Sequence, residues 1–190
     1  MRAPLMLASE LSGRPVVTLG GDVLAQIKDT VFDVPAGRIV GFTLSGRGVL
    51  AGPLKESLPW PGVHALGRHA VMVTGKQALA GPKAVVTPGD AARGAVLGVK
   101  VLTDAGMEVG SVKDVVVESG TSGRVAGLRI TAADSADGRR RDVFVPHDQV
   151  LSLSGHALVV PADARRLVAE ELPSFTSQAE VFLTREASSW

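Results

Sequence analysis

Short runs of apolar residues alternate with polar ones along most of the chain, and glycine-rich turns separate these runs. Such alternation predicts half-buried β-strands. The clearest early runs are Val16 to Leu19, Leu24 to Asp33 and Ile39 to Leu44. Gly20-Gly21 joins the first two, and both glycines can adopt the positive φ of a tight hairpin turn. The pattern therefore predicts a series of short strands connected by hairpins.

The same pattern returns 85 residues later without a gap, so that residues 98–118 repeat residues 13–33. The offset grows to 86 at Gly37 and Gly123, and to 87 further along. Small loop insertions shift an offset in this way while the fold is kept. A repeat of this length has the size of a small domain and is too long for a solenoid unit.

The repeat sets the predicted domain boundaries. They are residues 1–80 for a first barrel domain, 81–93 for an Ala-, Gly- and Pro-rich linker, 94–173 for a second barrel domain, and 174–190 for a tail. A helix is predicted from Pro161 to Leu172 inside the second domain, because proline suits a first helical turn and Pro173 would end the helix.

Each copy contains five or six predicted strands. This indicates an all-β protein of two tandem small β-barrels with a short C-terminal helix. Gly41 and Gly127 lie inside the third strands, where a bend or a close backbone crossing is expected. Val63 and Leu66 stand three residues apart, which is the spacing of a short helical turn, and the second copy repeats that spacing.

Composition narrows the class of protein further. The chain has no cysteine, which excludes disulfides, thiolate zinc sites and a cysteine nucleophile. No apolar run reaches the roughly 18 residues of a membrane span. The apolar stretch within the first ten residues is too short for a secretory signal. We therefore expect a cytoplasmic protein without a membrane span.

The charge is small overall but unevenly divided. A net charge of +1 argues against a general nucleic-acid binder. Residues 1–83 carry 9 Lys/Arg against 5 Asp/Glu, whereas residues 84–190 carry 11 against 14. Opposite potentials could favour self-association or two different partners, and neutral drift of a solvated surface explains the difference equally well.

A succession of short motifs resembles a known family. It comprises Leu11-x-Gly-Arg-Pro-Val16, a glycine hairpin, Ile27-Lys-Asp29, the Gly37-Arg38 turn, Val40-Gly-Phe42, the Leu58-Pro59 segment and a closing apolar strand. This order is similar to that of the PRC-barrel family over about residues 5–75 and, in its second copy, 92–162.

The PRC-barrel family includes the cytoplasmic domain of the photosynthetic reaction centre H subunit and the C-terminal domain of ribosome maturation factors. The resemblance implies a barrel that serves as a protein-docking and assembly module without a general catalytic site.

Two Lys-Asp pairs, Lys28-Asp29 and Lys113-Asp114, recur at equivalent positions. Strand alternation places each aspartate on the same face as apolar neighbours, where an acid needs partners. One interpretation is a paired acid site. The other, which we favour because no second acid or histidine lies nearby in sequence, is a structural carboxylate that accepts from turn amides or pairs with a lysine.

Other candidate motifs do not predict a site. His69 and His156 repeat before the closing strands, but neither has the ligand cluster that a metal needs. Residues 46–51 fit a dinucleotide pattern only nominally, because Gly52-Pro53 prevents the required helix. Residues 134–138 lack the ligand spacing of a calcium loop. Residues 139–141 are a basic run, interpreted as a solvated strand edge in preference to a nucleic-acid site.

Trp60, flanked by Pro59 and Pro61, is the candidate partner-binding residue. The second copy has His147 at the equivalent position, so the barrel itself does not require an indole there. Tryptophan is a frequent interface anchor, and two prolines would limit the entropy lost on binding. The alternative is that Trp60 caps its own barrel or packs on the other one.

The sequence therefore predicts a non-enzymatic adaptor or scaffold that mediates protein–protein interaction or complex assembly. We expect no cofactor and no bound metal, a protein partner of unknown identity, and no nucleic acid, while a homodimer stays open. The alternative function is that of a ribosome- or RNA-associated factor similar to the maturation factors.

Overall fold

The computed structural model describes residues 3–48, 51–85, 96–133, 140–154, 156–163 and 172–175. It divides into two compact units. Unit 1 contains Met1–Ala95 together with Val117–Val125, and unit 2 contains Val96–Val116 and Ala126–Trp190. A short segment of the second sequence copy therefore belongs to the first unit.

Unit 1 is built on seven strands among its described residues. They are β1 (Leu5–Leu7), β2 (Pro15–Thr18), β3 (Val23–Asp33), β4 (Arg38–Ser45), β5 (Pro53–Pro59), β6 (Val63–Leu66) and β7 (Val71–Val73). Six of them form a sheet in the order β5-β4-β3-β2-β7-β6. The β2–β7 pair is parallel, whereas the other neighbours are antiparallel.

The second copy yields six strands that are the counterparts of β2 to β7. They are β8 (Lys100–Thr103), β9 (Glu108–Glu118), β10 (Val125–Ala133), β11 (Arg140–Pro146), β12 (Ser152–Leu153) and β13 (Ala157–Val160). Their order, β11-β10-β9-β8-β13-β12, is that of the first sheet, and β8 pairs with β13 in parallel as β2 does with β7. The predicted all-β fold of two copies is thereby confirmed.

Alternation along the strands builds the core of unit 1. In β2 and β7 every second residue is buried, and Val16 pairs with Val71 on the inner face. The largest fully buried side chains of this core are Leu11, Ile27, Ile39, Phe42, Leu44, Leu58 and Leu66. Burial of such side chains contributes roughly 1.5–3 kcal/mol each, so the inner face stabilises the sheet.

The predicted close backbone crossings occur at both glycines. A Cβ at Gly41 would collide with the carbonyl oxygen of Leu58, and one at Gly127 would lie 2.5 Å from that of Val145. Since no side chain fits in that space, neighbouring strands can approach only where the sequence has glycine.

The ring of strands in unit 1 is not closed by hydrogen bonds, since β5 and β6 are the two ends of the described sheet. The backbone of Ala80 instead pairs with Ser57 at the free edge of β5, with N–O distances of 2.8 and 2.9 Å. The Ser57 hydroxyl also donates to the Gly81 carbonyl at 2.8 Å. A covered edge is protected from pairing with other chains.

Residues 82–85, which fall inside the predicted linker, pack on unit 1. Pro82–Ala84 is a 3₁₀ turn, and the side chain of Val85 is 1% exposed. Its Cγ2 atom lies 2.9 Å from where a Cβ of Gly41 would be. The rest of that linker, residues 86–93, lies outside the described part of the chain.

Residues 117–125 form a hairpin that bonds to the edges of unit 1. The Ile39 amide donates to the Gly123 carbonyl at 2.7 Å. Leu66 and Gly120 exchange two backbone hydrogen bonds of 2.7 and 2.8 Å. Unit 1 thus takes backbone partners from a segment that lies beyond the linker in sequence.

The helical segments differ from the prediction. Val63–Leu66 is strand β6, and the helical turn lies just before it as the 3₁₀ turn Trp60–Gly62. The second copy repeats this with His147–Gln149. A register shift between Val63 and Ala65 explains the error, because a bulge places residues three apart on one face.

The predicted C-terminal helix is only partly within the described residues. Residues 172–175 are α-helical, so Pro173 lies inside a helical turn and does not end the helix. Phe175 is fully buried there, with its ring centroid 5.7 Å from that of Phe144. Residues 164–171 and the tail from 176 onward lie outside the described part. Within the residues that are described, no helix is long and apolar enough to cross a membrane.

Candidate functional site

Trp60 lies in the 3₁₀ turn between β5 and β6 and is half-buried. Its ring centroid is 6.3 Å from that of Phe42, with the planes tilted by 51°. On the other side the indole lies so close to Gly123 that a Cβ there would collide with it. Pro59 is half-buried and Pro61 exposed. The role of these three residues in partner binding stays a prediction, and packing within unit 1 accounts for part of the indole surface.

A bulge in β3 determines where Lys28 and Asp29 lie. The register shifts between Ile27 and Asp29, so the strand contains one extra residue at this point. The shift turns Asp29 out of the apolar face and leaves it exposed. Its carboxylate accepts from the Thr43 hydroxyl at 3.0 Å and lies 3.8 Å from the Lys28 ammonium. The pair is a surface pair, which contributes little to stability.

The equivalent pair in unit 2 is arranged differently. Asp114 is 4% exposed, and its Oδ1 accepts from the Val115 amide at 2.8 Å. Lys113 points to solvent, with 49% of its side chain exposed. The two copies therefore do not form equivalent acid sites, and Lys113 bonds instead to an aspartate on another strand.

That aspartate is Asp142, at the centre of a polar cluster on β9, β10 and β11. Its Oδ2 lies 2.9 Å from the Lys113 ammonium and 2.5 Å from Nη2 of Arg129. The Thr131 hydroxyl donates to Oδ1 at 2.9 Å. The guanidinium of Arg129 lies 6.0 Å from the ring centroid of Phe144, within the range of a cation–π contact.

The cluster changes the acidity of Asp142. Partial burial acts to raise the pKa of its carboxyl group, but hydrogen bonds from Lys113, Thr131 and Arg129 outweigh this effect. The pKa of Asp142 is thereby held below its ordinary value. The carboxylate is ionised at neutral pH, so its chemistry is that of an acceptor for cations.

A second buried cation, Arg14, lies in unit 1 and was not predicted as a site. Only 10% of its side chain is exposed. Nη1 donates to the Gly67 carbonyl at 2.6 Å and contacts Sδ of Met6 at 3.2 Å, while Nη2 lies 3.8 Å from Glu10. Burial lowers the pKa of Arg14, although Glu10 opposes this. Arg14 ties the first strand region to the turn between β6 and β7, which is a structural role.

The histidines do not gather into a site in the described residues. His64, His69 and His156 are exposed. No group of three or more His, Asp or Glu side chains that could hold a metal ion occurs in the part of the chain that the structure describes.

The outer face of the first sheet has a continuous apolar row. Ala65 on β6 pairs with Met72 on β7, which pairs with Val17 on β2, which pairs with Val23 on β3. Paired residues point to the same side of a sheet, and the neighbouring residues along these strands form the core. We call these four residues the apolar row. Leu19, which extends β2 on the same face, is 56% exposed.

The second copy has a more polar version of this row. Its residues, paired in the same register, are Ser152, Val159, Leu102 and Glu108. Glu108 also pairs with Lys100 at 3.1 Å. Because the fold accepts Ser and Glu at these positions, it does not require the apolar ends of the row in unit 1.

Two sheets with one strand order, each with a parallel pair between equivalent strands, define a protein of two tandem strand-rich units related to small barrels. Residues 4–79 and 92–167 both match the PRC-barrel domain, and the chain belongs to the PRC-barrel family. A search of curated proteins gives no match.

Sequence reasoning missed the Asp142 cluster because its members come from three strands. Asp142 directly follows the basic run of residues 139–141, which was interpreted as a solvated strand edge. The available signal was alternation: Lys113 on β9, Arg129 with Thr131 on β10, and Asp142 on β11 lie at positions that share one face once the strands are paired. Without the register between strands, that face cannot be assembled.

Proposed function

We propose that the protein is a non-catalytic adaptor or scaffold that binds partner proteins through outward-facing surfaces, in keeping with its PRC-barrel domains. A cytoplasmic location is part of this proposal. The observation that carries it is the apolar row of unit 1, extended by Leu19. Val23 and Leu19 are 37% and 56% exposed, although the second copy shows that polar residues fit at both positions. Exposed apolar surface that the fold does not need is typical of an interaction site.

The second copy supplies the substitutions for a test. Val23→Glu and Leu19→Asp introduce the residues that unit 2 has at these positions, Glu108 and Asp104. Because both are tolerated in the same fold, we expect the double variant to keep its unfolding temperature. Proteins captured from the native host by the wild type should be lost with this variant, and purified candidates should bind at least about tenfold more weakly.

The matched control is Leu102→Glu with Val159→Glu on the equivalent face of unit 2, which should leave the captured set unchanged. If both variants capture the same proteins as the wild type, the apolar row is not the docking surface. If ribosomal proteins or RNA are the specific partners, the ribosome-associated function replaces the general adaptor. Trp60→Ala, assayed in the same way, tests the candidate residues Trp60, Pro59 and Pro61.

A further inference from the structure

A groove on the outer face of unit 2 lies beside the Asp142 cluster. It has a volume of ≈ 490 Å³ and is lined by Ser111, Val112, Lys113, Thr131, Arg140 and Asp142. This volume lies within the range of small-ligand sites. Its polar side chains stand at alternate positions on β9 and β11, with Thr131 on the strand between them.

The groove has an excess of positive charge. Asp142 is already bonded to Lys113, Arg129 and Thr131. Arg140 is exposed, and its guanidinium makes no hydrogen bond or ion pair within the described residues. Lys113 has three donor hydrogens, of which Asp142 accepts one in the structure. The two cations that line the groove, Lys113 and Arg140, therefore have donors without an acceptor among the described residues.

The spacing of the cations limits the ligand. Lys113 lies on β9 and Arg140 on β11, and one strand separates them. The Lys113 ammonium reaches across to Asp142, which is two residues from Arg140 on β11. Alternate residues on one strand start roughly 7 Å apart, which is more than a single phosphate or carboxylate group spans. Two side chains that alternate along an extended peptide start roughly 7 Å apart and can reach both cations.

We propose that this groove binds an acidic peptide segment of a partner protein, through two of its carboxylates. The proposal rests on the proposed adaptor function and names the partner's chemistry. Two carboxylates on one peptide place a single charge beside each cation, whereas a phosphate dianion brings both of its charges to one point, close to the ionised Asp142. Ser111, whose hydroxyl also makes no hydrogen bond within the described residues, supplies a neutral donor.

The first sequence copy lacks this groove chemistry and provides the control. Lys28 is the equivalent of Lys113, but its neighbour at 3.8 Å is Asp29 on its own strand. Ser45, the equivalent of Thr131, pairs with Pro53 and not with an acid. A binding effect specific to the groove must therefore depend on Lys113 and Arg140 and not on Lys28.

The test is a titration of the full chain with an acetylated and amidated hexaglutamate peptide, followed by backbone NMR and calorimetry at low salt. We expect saturable shifts confined to residues 111–113, Thr131 and 140–142. Arg140→Gln should raise the dissociation constant roughly tenfold, since charge-assisted hydrogen bonds are lost. Lys113→Gln should do the same, and Lys28→Gln should leave the constant unchanged.

The uncharged control is a hexaglutamine peptide with the same blocked ends. The overturning outcomes are an equal weakening by Lys28→Gln, equal affinity for hexaglutamine, competition by inorganic phosphate at the peptide's own concentration, or tighter binding of a short RNA oligonucleotide at the same residues. Arg140→Gln decides the matter if Lys113→Gln unfolds the protein, because the Arg140 guanidinium makes no hydrogen bond or ion pair within the described residues. The adaptor function is tested separately, on the apolar row of unit 1. If the peptide does not bind in the groove, the result for the apolar row still stands. If the apolar row does not bind partners, the peptide titration can still be interpreted.

Discussion

Asp142 accepts hydrogen bonds from side chains on two neighbouring strands, and so joins β9 and β10 to the edge strand β11 of the described sheet. Its own side chain is 25% exposed. Hydrogen bonds to charged groups contribute more than neutral ones, while partial exposure reduces the contribution of an ion pair. At the scale of single residues, this carboxylate connects three strands of unit 2.

The first prediction concerns its pH dependence. The pKa of Asp142 is lowered in the folded protein, so its stabilising contribution is present above the unfolded pKa of about 3.9 and is lost as the pH falls through the lower folded value. We expect Asp142→Asn to reduce the free energy of unfolding by about 1–2 kcal/mol at pH 7. The difference from the wild type should disappear toward pH 2 in urea unfolding series. A difference that stays constant over this range would contradict the assignment.

At the scale of elements, the hairpin of residues 117–125 matters most for unit 1. The strand starts 37–39 and 123–125 are equivalent in the repeat, and they pair antiparallel through Arg38 and Arg124. The Val125 amide donates to the Gly37 carbonyl at 2.8 Å, as the Ile39 amide does to Gly123. Trp60 covers Gly123, so the indole, the hairpin and the start of β4 form one packed group.

The second prediction tests this packing. Gly123 has φ of +63° and the indole against it, so Gly123→Ala introduces both backbone strain and a collision. We expect it to lower the free energy of unfolding by about 2–4 kcal/mol. Gly106→Ala is the control, because Gly106 has φ of +79° with nothing within 4 Å of a new Cβ, and it should lower stability by about 1–2 kcal/mol.

Fluorescence of the indole gives an independent readout in a Trp190→Phe background, where Trp60 is the remaining tryptophan. Its emission should shift to longer wavelength in Gly123→Ala and not in Gly106→Ala. Equal effects of the two substitutions on stability and emission would show that the indole does not pack on Gly123.

Strand alternation, glycine turns and the repeat predicted β2, β3, β4 and β7 and their counterparts in the second copy, because these strands depend on local patterns that occur in both copies. Bulges were the main source of error. The extra residue at Lys28 reverses the face of Asp29, and the shift at Val63 imitates helical spacing. The apolar row and the Asp142 cluster need the register between strands, which no single run of sequence contains.

At the scale of the whole molecule, the sequence repeat and the compact units do not share one boundary. Residues 117–125 lie in the second copy but belong to unit 1, where they supply partners for Ile39 and Leu66. A protein cut after residue 95 keeps the complete first copy and loses these partners.

The third prediction follows from that cut. We expect the fragment 1–95 to unfold more than about 10 °C below unit 1 of the full chain, since backbone hydrogen bonds and the packing of Trp60 are lost together. A synthetic peptide of residues 115–127 should raise its unfolding temperature with increasing concentration. The same peptide with Gly123→Ala is the control and should have little effect. A fragment that unfolds at the full-chain temperature, with no response to the peptide, would show that the hairpin is dispensable.

The position of this hairpin also affects how the chain matures during synthesis. Domains generally fold from the N-terminus while translation proceeds at about 5–20 residues per second. When the first sequence copy has left the ribosome, unit 1 is still incomplete, because its last segment ends at Val125. The linker and part of the second copy must be synthesised first. Until then the backbone groups of Ile39 and Leu66 lack their partners at Gly123 and Gly120. Chaperone binding to stalled nascent chains should therefore persist past residue 95 and fall once residue 125 is outside the ribosome.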